Sequence, residues 1–197
     1  MNEKVRAGYD RIAEEYARGR DDFKNQSYLE RFIEFLRPGS SILDVGCGSG
    51  FPVIRFLSEQ GYAVFGIDIS PRQIELARSN VPQAQFEVLD MQVLGENQYA
   101  VAGIVALYAI FHIDRVEHGR LLKILHGFLP RGGPLLITMG GSEWEGSEPD
   151  FYGTEMLWSH FGPEHNRELV LEAGFTVMLD EIDTSGGERH QVILATA

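Results

Sequence analysis

One short stretch constrains the fold of this chain more than any other: an apolar run that ends in an acid, followed by three closely spaced glycines. The run is residues 41–44, and Gly46, Gly48 and Gly50 come directly after Val45, ahead of an amphipathic segment. This order predicts a strand, a tight turn and a helix. Glycines adopt backbone angles that other residues resist, and without side chains they let a ligand approach the amides at a helix N-terminus. The turn therefore predicts a site for a nucleotide-like cofactor.

Length and charge restrict the partners of the chain. Its 197 residues, 44% of them hydrophobic, are within the range of one domain with a sizeable core. The 29 acidic and 17 basic residues give a formal net charge of -12. Such a charge repels the phosphates of nucleic acids and anionic membrane surfaces. We therefore expect neither a nucleic acid nor a membrane as partner.

The first residues and the cysteine usage favour a cytoplasmic location. The polar opening lacks the apolar centre of a signal peptide, and no stretch approaches the roughly 20 apolar residues of a membrane span. Cys47 is the single cysteine, so an internal disulfide is impossible, which agrees with a reducing compartment. Within the glycine turn, Cys47 is expected to serve as a small spacer rather than as a nucleophile.

Two helices are predicted ahead of the first strand. Val5, Tyr9 and Ile12 recur at helical spacing in the first, and a second follows with Ser27 and Glu30 as a possible capping box. Because both precede the glycine turn, residues 1–38 are expected to form a helical cover over the ligand edge of the first strand.

The remainder of the chain alternates between strand and helix patterns. Strands are predicted over residues 41–45, 63–67, 86–89, 101–108, 135–139, 175–182 and 191–196. Ser70, Pro71 and Gln73 give a typical helix start after the second strand. The alternation predicts an α/β fold, a doubly wound Rossmann-like sheet of seven strands, mostly parallel with an antiparallel C-terminal strand. Ligands of such sheets bind beyond the carboxyl ends of the strands, where Gly46, Asp68 and Asp90 lie.

The spacing of the glycines bears on the choice of cofactor. A dinucleotide turn reads Gly-x-Gly-x-x-Gly, whereas here the third glycine comes one residue early. Asp68 closes the second strand, where an acid can accept the ribose hydroxyls of several cofactors, NAD included. Asp90 closes the third strand and can accept a hydrogen bond from the exocyclic amine of adenine. An NAD-dependent dehydrogenase stays open as a less favoured alternative.

Together these segments resemble the class I S-adenosylmethionine-dependent methyltransferases, in particular the members that act on small molecules. The matching motifs are residues 43–50 at the glycine turn, 66–70 at the ribose site, 89–91 at the adenine site, 107–112 after the fourth strand, 129–137 before the fifth, and 9–16 in the cover helix. The resemblance covers nearly the whole chain and implies a single methyltransferase domain over residues 1–197.

The resemblance also implies roles for individual residues in binding S-adenosylmethionine. The amino-acid part of the cofactor would be surrounded by Asp44, Gly46, Cys47, Gly48 and Gly50, with the Leu107 backbone receiving its ammonium. Asp68 would hold the ribose, and Ile69 and Met91 would enclose the adenine beside Asp90. Tyr16 would approach from the cover helix. The cationic ammonium and sulfonium of the cofactor suit so acidic a site.

Two histidines are candidates for catalysis. His112 follows the fourth strand and is predicted either to accept a proton from the acceptor or to line the pocket through a hydrogen bond. His160 belongs to residues 140–162, where periodicity is lost and an irregular, aromatic-rich loop on the substrate side is predicted. His160 would either contact the substrate or tie this loop down.

The expected activity is methyl transfer from S-adenosylmethionine to an unidentified small-molecule acceptor. The histidine positions show no recognised ligand spacing, so no metal site is expected. A regulatory module that binds the cofactor without catalysis is the main alternative to an enzyme.

Overall fold

A seven-stranded sheet organises the chain in the computed structural model, which describes residues 1–19 and 24–197. The strands are β1 (Ser41–Val45), β2 (Ala63–Asp68), β3 (Gln85–Val88), β4 (Gly103–Ala106), β5 (Pro134–Gly140), β6 (Trp144–Phe151), β7 (Thr154–His160), β8 (Thr176–Asp183) and β9 (His190–Thr196). The helices are α1 (Asn2–Gly19), α2 (Gln26–Ile33), α3 (Val53–Glu59), α4 (Pro71–Asn80), α5 (His118–Gly127) and α6 (Pro163–Glu172).

The strand order confirms the predicted doubly wound α/β fold. The seven strands run in the order β3-β2-β1-β4-β5-β9-β8, and the neighbours from β3 to β5 are parallel. Strand β9 is antiparallel to both β5 and β8. The winding reverses between β1 and its two neighbours β2 and β4, so their carboxyl ends form the crevice in which ligands of such sheets bind.

Helices cover both faces of the sheet and explain why its central strands are apolar. On one face, Ile42 of β1 packs with Ile54 of α3 and Ile74 of α4 in one buried cluster. On the other, Leu43 joins Leu122 of α5 and Val170 of α6. Adjacent residues of β1 are thus buried on opposite faces, as expected for a parallel strand between two helical layers.

One helix start that the sequence predicts is confirmed by the structure, and another is wrong. Ser70 caps α4 as predicted, since its side chain accepts a hydrogen bond from the Gln73 amide at 3.1 Å. The capping box predicted for α2 is wrong. Asn25 occupies the cap position without a side-chain cap, Ser27 lies inside the helix, and Gln26 donates to Glu30 at 2.8 Å. Glu30 is therefore engaged along the helix surface rather than at its N-terminus.

The prediction of an irregular loop over residues 140–162 is also wrong. Gly140 ends β5, and β6 and β7 pair as an antiparallel hairpin, with Trp144 opposite His160. The turn places Tyr152 at φ 52° and Gly153 at φ 78°, a conformation that suits a tight hairpin. Because β6 is exposed and contains Gly, Ser, Pro and three acids, it lacks the apolar alternation that identifies a half-buried strand.

Of the two described helices within residues 1–38, α1 covers the ligand edge and α2 does not. Helix α1 lies over it, where Asp10 accepts hydrogen bonds from the Ser70 hydroxyl at 2.6 Å and the Arg72 amide at 3.2 Å. Helix α2 instead packs on the sheet, with Phe32 fully buried in the cluster of α3 and α4. In the part of the chain that the structure describes, no helix has the length and apolar character needed to cross a bilayer.

Candidate active site

A cleft of about 700 Å³ opens at the carboxyl ends of β1, β2 and β4, beneath α1. It lies at the reversal of strand order, where the fold leaves a crevice. Nine of the eleven predicted cofactor residues line it: Tyr16, Asp44, Gly46, Cys47, Gly48, Asp68, Ile69, Met91 and Leu107. Gly50 and Asp90 lie just outside it, for different reasons.

The glycine turn brings bare backbone to the floor of the cleft. Gly46 has a φ of +78°, and a Cβ added there would lie 2.3 Å from the Cβ of Ala109. Conformation and space both require glycine at this position. Gly50, at φ +75°, faces Ala77 and Val81 of the α4 region instead of the cleft. It therefore packs the turn against a helix, so a direct contact of Gly50 with the cofactor stays a prediction.

Asp68 is held rigidly at the end of β2. One carboxylate oxygen accepts the Gly48 amide at 2.9 Å, and the other accepts the Ser70 amide at 2.8 Å. Burial raises the pKa of Asp68 to about 6, with the two amides opposing this shift and Asp10 adding to it. Carboxylate oxygens have further lone pairs, so the group can still accept hydroxyl donors from the cleft.

Asp90 borders a second hollow of about 330 Å³ that shares Gly46, Asp68, Ile69 and Met91 with the cleft. One of its oxygens accepts the Gln92 amide at 2.9 Å, and the other accepts the side chain of Asn2 on α1. The predicted adenine residues Ile69, Asp90 and Met91 therefore meet in one place, and α1 closes it from above.

Gln73 is a candidate binding residue that the sequence predicts only as part of a helix start. Its side chain is 1% exposed, lines the cleft, and has no hydrogen-bond partner for its amide nitrogen or oxygen among the described residues. In a capping box this side chain would reach back to the Ser70 amide. The backbone amide of Ser70 donates to Asp68 instead, so the side-chain amide of Gln73 remains available to a ligand.

His112 lines the cleft but is engaged at both ring nitrogens. Nδ1 lies 3.0 Å from the Leu157 carbonyl oxygen, which only accepts, so Nδ1 carries the proton. Nε2 then accepts the Tyr9 hydroxyl at 2.7 Å. Burial lowers the pKa of His112 to about 4, with the bond to Leu157 opposing the shift and His160 adding to it. This environment favours a neutral imidazole that positions Tyr9.

His160 lies apart from the cofactor cleft. Its Nδ1 is 2.7 Å from the Ser142 carbonyl oxygen, and its ring borders an outer hollow beside β5 and the hairpin. The geometry favours the alternative that His160 ties the segment after β5 to the hairpin. Burial and the carboxylates of Asp68 and Asp44 raise the pKa of the Cys47 thiol, which keeps it protonated and suits a spacer role.

A further hollow of about 350 Å³ adjoins the cleft and shares Tyr9, Tyr16 and Tyr108 with it. Tyr108 adopts a positive φ of 57°, and its hydroxyl donates to the Asn25 side chain at 2.8 Å. The sequence signal for this hollow was the excess of aromatic residues over 140–162, of which Phe151, Tyr152 and Trp158 lie here. Their convergence with α1 depends on the hairpin, which the sequence does not predict because β6 lacks apolar alternation.

Metal ligands do not converge anywhere in residues 1–19 and 24–197: no group of three His, Cys, Asp or Glu side chains is placed to hold an ion. The polar side chains of the cleft are carboxylates, hydroxyls, one amide, the His112 imidazole and the Cys47 thiol, arranged along its walls rather than around a point. This arrangement suits an extended organic ligand.

Comparison with known protein families identifies the class of the chain. The model of a methyltransferase domain matches residues 15–179, most of the sequence. The chain belongs to this family. The membership confirms the predicted class of enzyme, a methyltransferase, and argues against the dehydrogenase alternative.

Individual relatives agree with this assignment. An uncharacterized methyltransferase of Synechocystis is 27% identical over 171 residues, 82% of this chain and 78% of that protein. The ribosomal protein L11 methyltransferase of Paraburkholderia xenovorans is 37% identical over 111 residues, 52% of this chain but only 37% of its own length. A methyltransferase structure from Methanosarcina mazei, described as SAM-dependent, superposes with a TM-score of 0.70 at 22% identity, covering 83% of this chain and 94% of that one. The structural likeness supports the fold.

Proposed function

We propose that the protein transfers the methyl group of S-adenosylmethionine to a small-molecule acceptor bound between α1 and the β6–β7 hairpin. The observation that carries the proposal is the pairing of two adjoining spaces, a cleft of about 700 Å³ over the glycine turn and an aromatic hollow of about 350 Å³. Tyr9, Tyr16 and Tyr108 border both, so a cofactor in the first and an acceptor in the second would meet at these residues.

The residues of the cleft fit S-adenosylmethionine. The carboxylate of Asp68 suits ribose hydroxyls, and Ile69, Met91 and Asp90 suit the two faces and the amine of adenine. The side-chain amide of Gln73 is buried without a partner among the described residues, and it supplies both a donor and an acceptor. None of the described lining residues of the cleft is Lys or Arg, so it favours a cationic ligand. Asp44 and the Leu107 backbone would hold the amino-acid part.

The chemistry requires positioning more than acid–base catalysis. When bound, the cofactor would supply an electrophilic methyl group: the lone pair of the acceptor would form a bond to the methyl carbon while the carbon–sulfur bond breaks and S-adenosylhomocysteine leaves. Holding two reactants in line provides up to roughly 7 to 11 kcal/mol of the barrier reduction in such reactions. Helix α1 and the hairpin contribute residues to the walls of both spaces and would reduce the contact of the reacting groups with water, and the His112–Tyr9 hydrogen bond fixes one wall. With its pKa lowered to about 4, His112 is a weak base at neutral pH, which supports a positioning role.

Size and charge support a small acceptor over a macromolecule. The hollow is covered by α1 and the hairpin, and the net charge of -12 disfavours nucleic acids. The relatives named for ribosomal protein L11 match about half of this chain and a third of their own length, which leaves their acceptor unsupported for this protein. The experiment must therefore distinguish a methyltransferase that acts on a small molecule from one that acts on a protein.

Titration calorimetry followed by a transfer assay tests the proposal. We expect the full chain to bind both S-adenosylmethionine and S-adenosylhomocysteine, and Asp68→Ala to weaken binding by 1 to 3 kcal/mol, about 5- to 150-fold. Glu172→Ala, at the exposed C-terminal end of α6 and outside the cleft, should bind like the wild type. Absence of binding by folded protein would reject the proposal.

The transfer assay uses isotope-labelled cofactor against small metabolites, ribosomal proteins and RNA. Methylation of small molecules supports the proposal, whereas methylation confined to protein or RNA would overturn the small-molecule part. Cofactor binding without any transfer would favour a regulatory module.

A further inference from the structure

The hollow of about 330 Å³ beside Asp90, here called the adenine hollow, has walls that suit a flat ring. Five of its ten lining residues have apolar side chains: Val5, Ile69, Leu89, Met91 and Ile113. Four have polar side chains, and Gly46 completes the lining: the polar residues are Asn2, Asp68, Asp90 and His112. An apolar space with a few polar groups is the usual form of a site for an organic ring, and its polar groups decide which ring fits.

Two of the four polar side chains have other tasks. Asp68 would be occupied by the ribose in the proposed function. His112 is bonded at both of its ring nitrogens. The edge of a base in this hollow would therefore be recognised by Asn2 and Asp90.

The Asn2 side chain is oriented by Asp90. It bonds Oδ2 of Asp90, and because a carboxylate accepts but does not donate, the Nδ2 group of Asn2 faces Asp90. The carbonyl oxygen of the same amide has no hydrogen-bond partner among the described residues. Asn2 is thus held by its donor and has an acceptor left for a ligand.

Asp90 also keeps the capacity to accept from a ligand. Its Oδ1 accepts the Gln92 amide at 2.9 Å, and its Oδ2 accepts Asn2. A carboxylate has about four lone-pair sites, so these two bonds do not saturate it. The hollow therefore offers two acceptors, and the exocyclic amine of adenine has two hydrogens to donate.

Buried contacts fix the first turn of α1, in which Asn2 lies. Val5 is 4% exposed and belongs to a buried apolar cluster with Met156 of β7. Lys4 lies 3.3 Å from Glu155 of the same strand. The start of α1 is therefore positioned over the hollow by the hairpin as well as by Asp90.

From these observations we infer that Asn2 is a specificity residue for adenine: its carbonyl oxygen accepts one hydrogen of the exocyclic amine while Asp90 accepts the other. The inference rests on the proposed function and adds a residue of the cover helix to the recognition of the cofactor. The carbonyl oxygen of asparagine accepts from the same amine where proteins read adenine in DNA. A base with an oxygen in place of the amine would lose both bonds and face two acceptors.

A pair of ligands that differ at the edge of the base tests the inference. S-adenosylhomocysteine and S-inosylhomocysteine, in which an oxygen replaces the amine, are titrated into the full chain by calorimetry. We expect the adenosyl compound to bind about tenfold more tightly or better, because the inosyl compound leaves polar groups of the site unpaired. Equal affinities, or tighter binding of the inosyl compound, would overturn the inference.

Two substitutions assign this preference to Asn2. Asn2→Ala removes the amide, and Asn2→Leu replaces it with an apolar side chain of similar size. Each should lower the ratio of the two affinities about three- to tenfold, the loss of one hydrogen bond. The ratio compares two ligands in the same protein, so a change in the folded fraction cancels.

Glu3→Ala is the matched control, since Glu3 is the exposed neighbour of Asn2 on α1 and does not line the hollow. Its ratio should equal that of the wild type. A wild-type ratio in both Asn2 variants would contradict the inference. Tighter binding of S-adenosylhomocysteine by Asn2→Ala would also overturn it, because Asn2 would then block Asp90 rather than assist it.

The same titrations distinguish this inference from the proposed function. If S-adenosylhomocysteine binds and the Asn2 variants keep the wild-type ratio, the role of Asn2 is wrong and the methyltransferase proposal stands. If S-adenosylhomocysteine does not bind to folded protein, the proposed function fails. Adenosine and inosine are then titrated into the wild type and Asn2→Ala, where absence of binding or an unchanged ratio would overturn the inference independently.

Discussion

Asp68 illustrates how one residue couples the fold to ligand binding. Two backbone amides fix its carboxylate, while burial raises its pKa to about 6. Because the folded pKa lies above the ordinary value of 3.8, the protonated form is favoured by folding. This contribution to stability is present at low pH and is lost as the pH rises through about 6. Ligand binding has the opposite preference, since hydroxyl donors require the ionised carboxylate.

The pH dependence of cofactor binding should therefore report on Asp68. We expect the affinity for S-adenosylhomocysteine to be constant above about pH 6.5 and to fall toward tenfold per pH unit below 6. His112, with a pKa lowered to about 4, stays neutral through this window. Calorimetry between pH 5 and 8 measures the profile. Asp68→Asn should bind more weakly with a flat profile, and a wild-type decline that persists in this variant would assign the titration to another group.

Replacing Gln73 should change the stability of the protein and its affinity for the cofactor in opposite directions. Its buried amide has no partner among the described residues, and leaving such a group unsatisfied costs about 1 to 3 kcal/mol. Gln73→Met should therefore raise the free energy of unfolding of the ligand-free protein and weaken S-adenosylhomocysteine about five- to tenfold, the loss of one hydrogen bond. Urea denaturation and calorimetry measure the two effects.

Gln191→Met is the matched control for Gln73. Gln191 is equally buried, but it donates to the Pro163 carbonyl and the Asp180 carboxylate and accepts from Asn166. Its replacement should destabilise the fold and leave cofactor affinity unchanged. Destabilisation by Gln73→Met, without loss of affinity, would contradict a ligand-binding role for Gln73.

At the scale of elements, the sequence predicts those parts of the site that depend on local patterns. The acids at strand ends and the glycine turn were identifiable because each lies next to an apolar run with a clear period. The hairpin was not, since β6 is exposed and its Gly, Ser and Pro residues hide the alternation. Gln73 was also beyond reach, because its availability depends on the Ser70 amide bonding to Asp68 rather than to Gln73.

Ser70 links α4 to the cover helix and gives a test at this scale. Its hydroxyl accepts the Gln73 amide and donates to Asp10 of α1. Ser70→Ala should lower the free energy of unfolding by about 1 to 2 kcal/mol, because the cap and the link to α1 are both lost. Urea denaturation measures this loss.

Ser79→Ala, exposed near the end of the same helix, is the control for Ser70 and should be neutral or slightly stabilising, since alanine favours helices. Amide exchange in α1 should accelerate in Ser70→Ala alone. An unchanged α1 would mean that its position depends on other contacts.

At the scale of the whole molecule, the site is assembled from a layer formed by the sheet with its helices and a layer that covers it. The sheet and its helices supply the glycine turn, Asp68 and the strand ends, which the doubly wound topology places together. Helix α1 and the hairpin supply the cover and meet each other, with Gly8 against Met156 and Lys4 3.3 Å from Glu155. Because α1 lies over the cleft and also contacts the hairpin, we expect cofactor binding and the position of α1 to be coupled.

Hydrogen exchange should show this coupling as a pattern across the chain. A ligand that binds only the folded state at 100 times its Kd adds about 2.7 kcal/mol to the free energy of unfolding and slows globally exchanging amides everywhere. Amides that exchange through displacement of the cover gain protection only if the ligand holds α1 and β7 in place. We therefore expect S-adenosylhomocysteine to slow exchange in α1 and β7 even where exchange is fast in the free protein. Fast-exchanging amides of α6, on the opposite side of the sheet, serve as the internal reference. Equal effects in α1 and α6 would contradict the coupling, because the cover would then move independently of the cofactor.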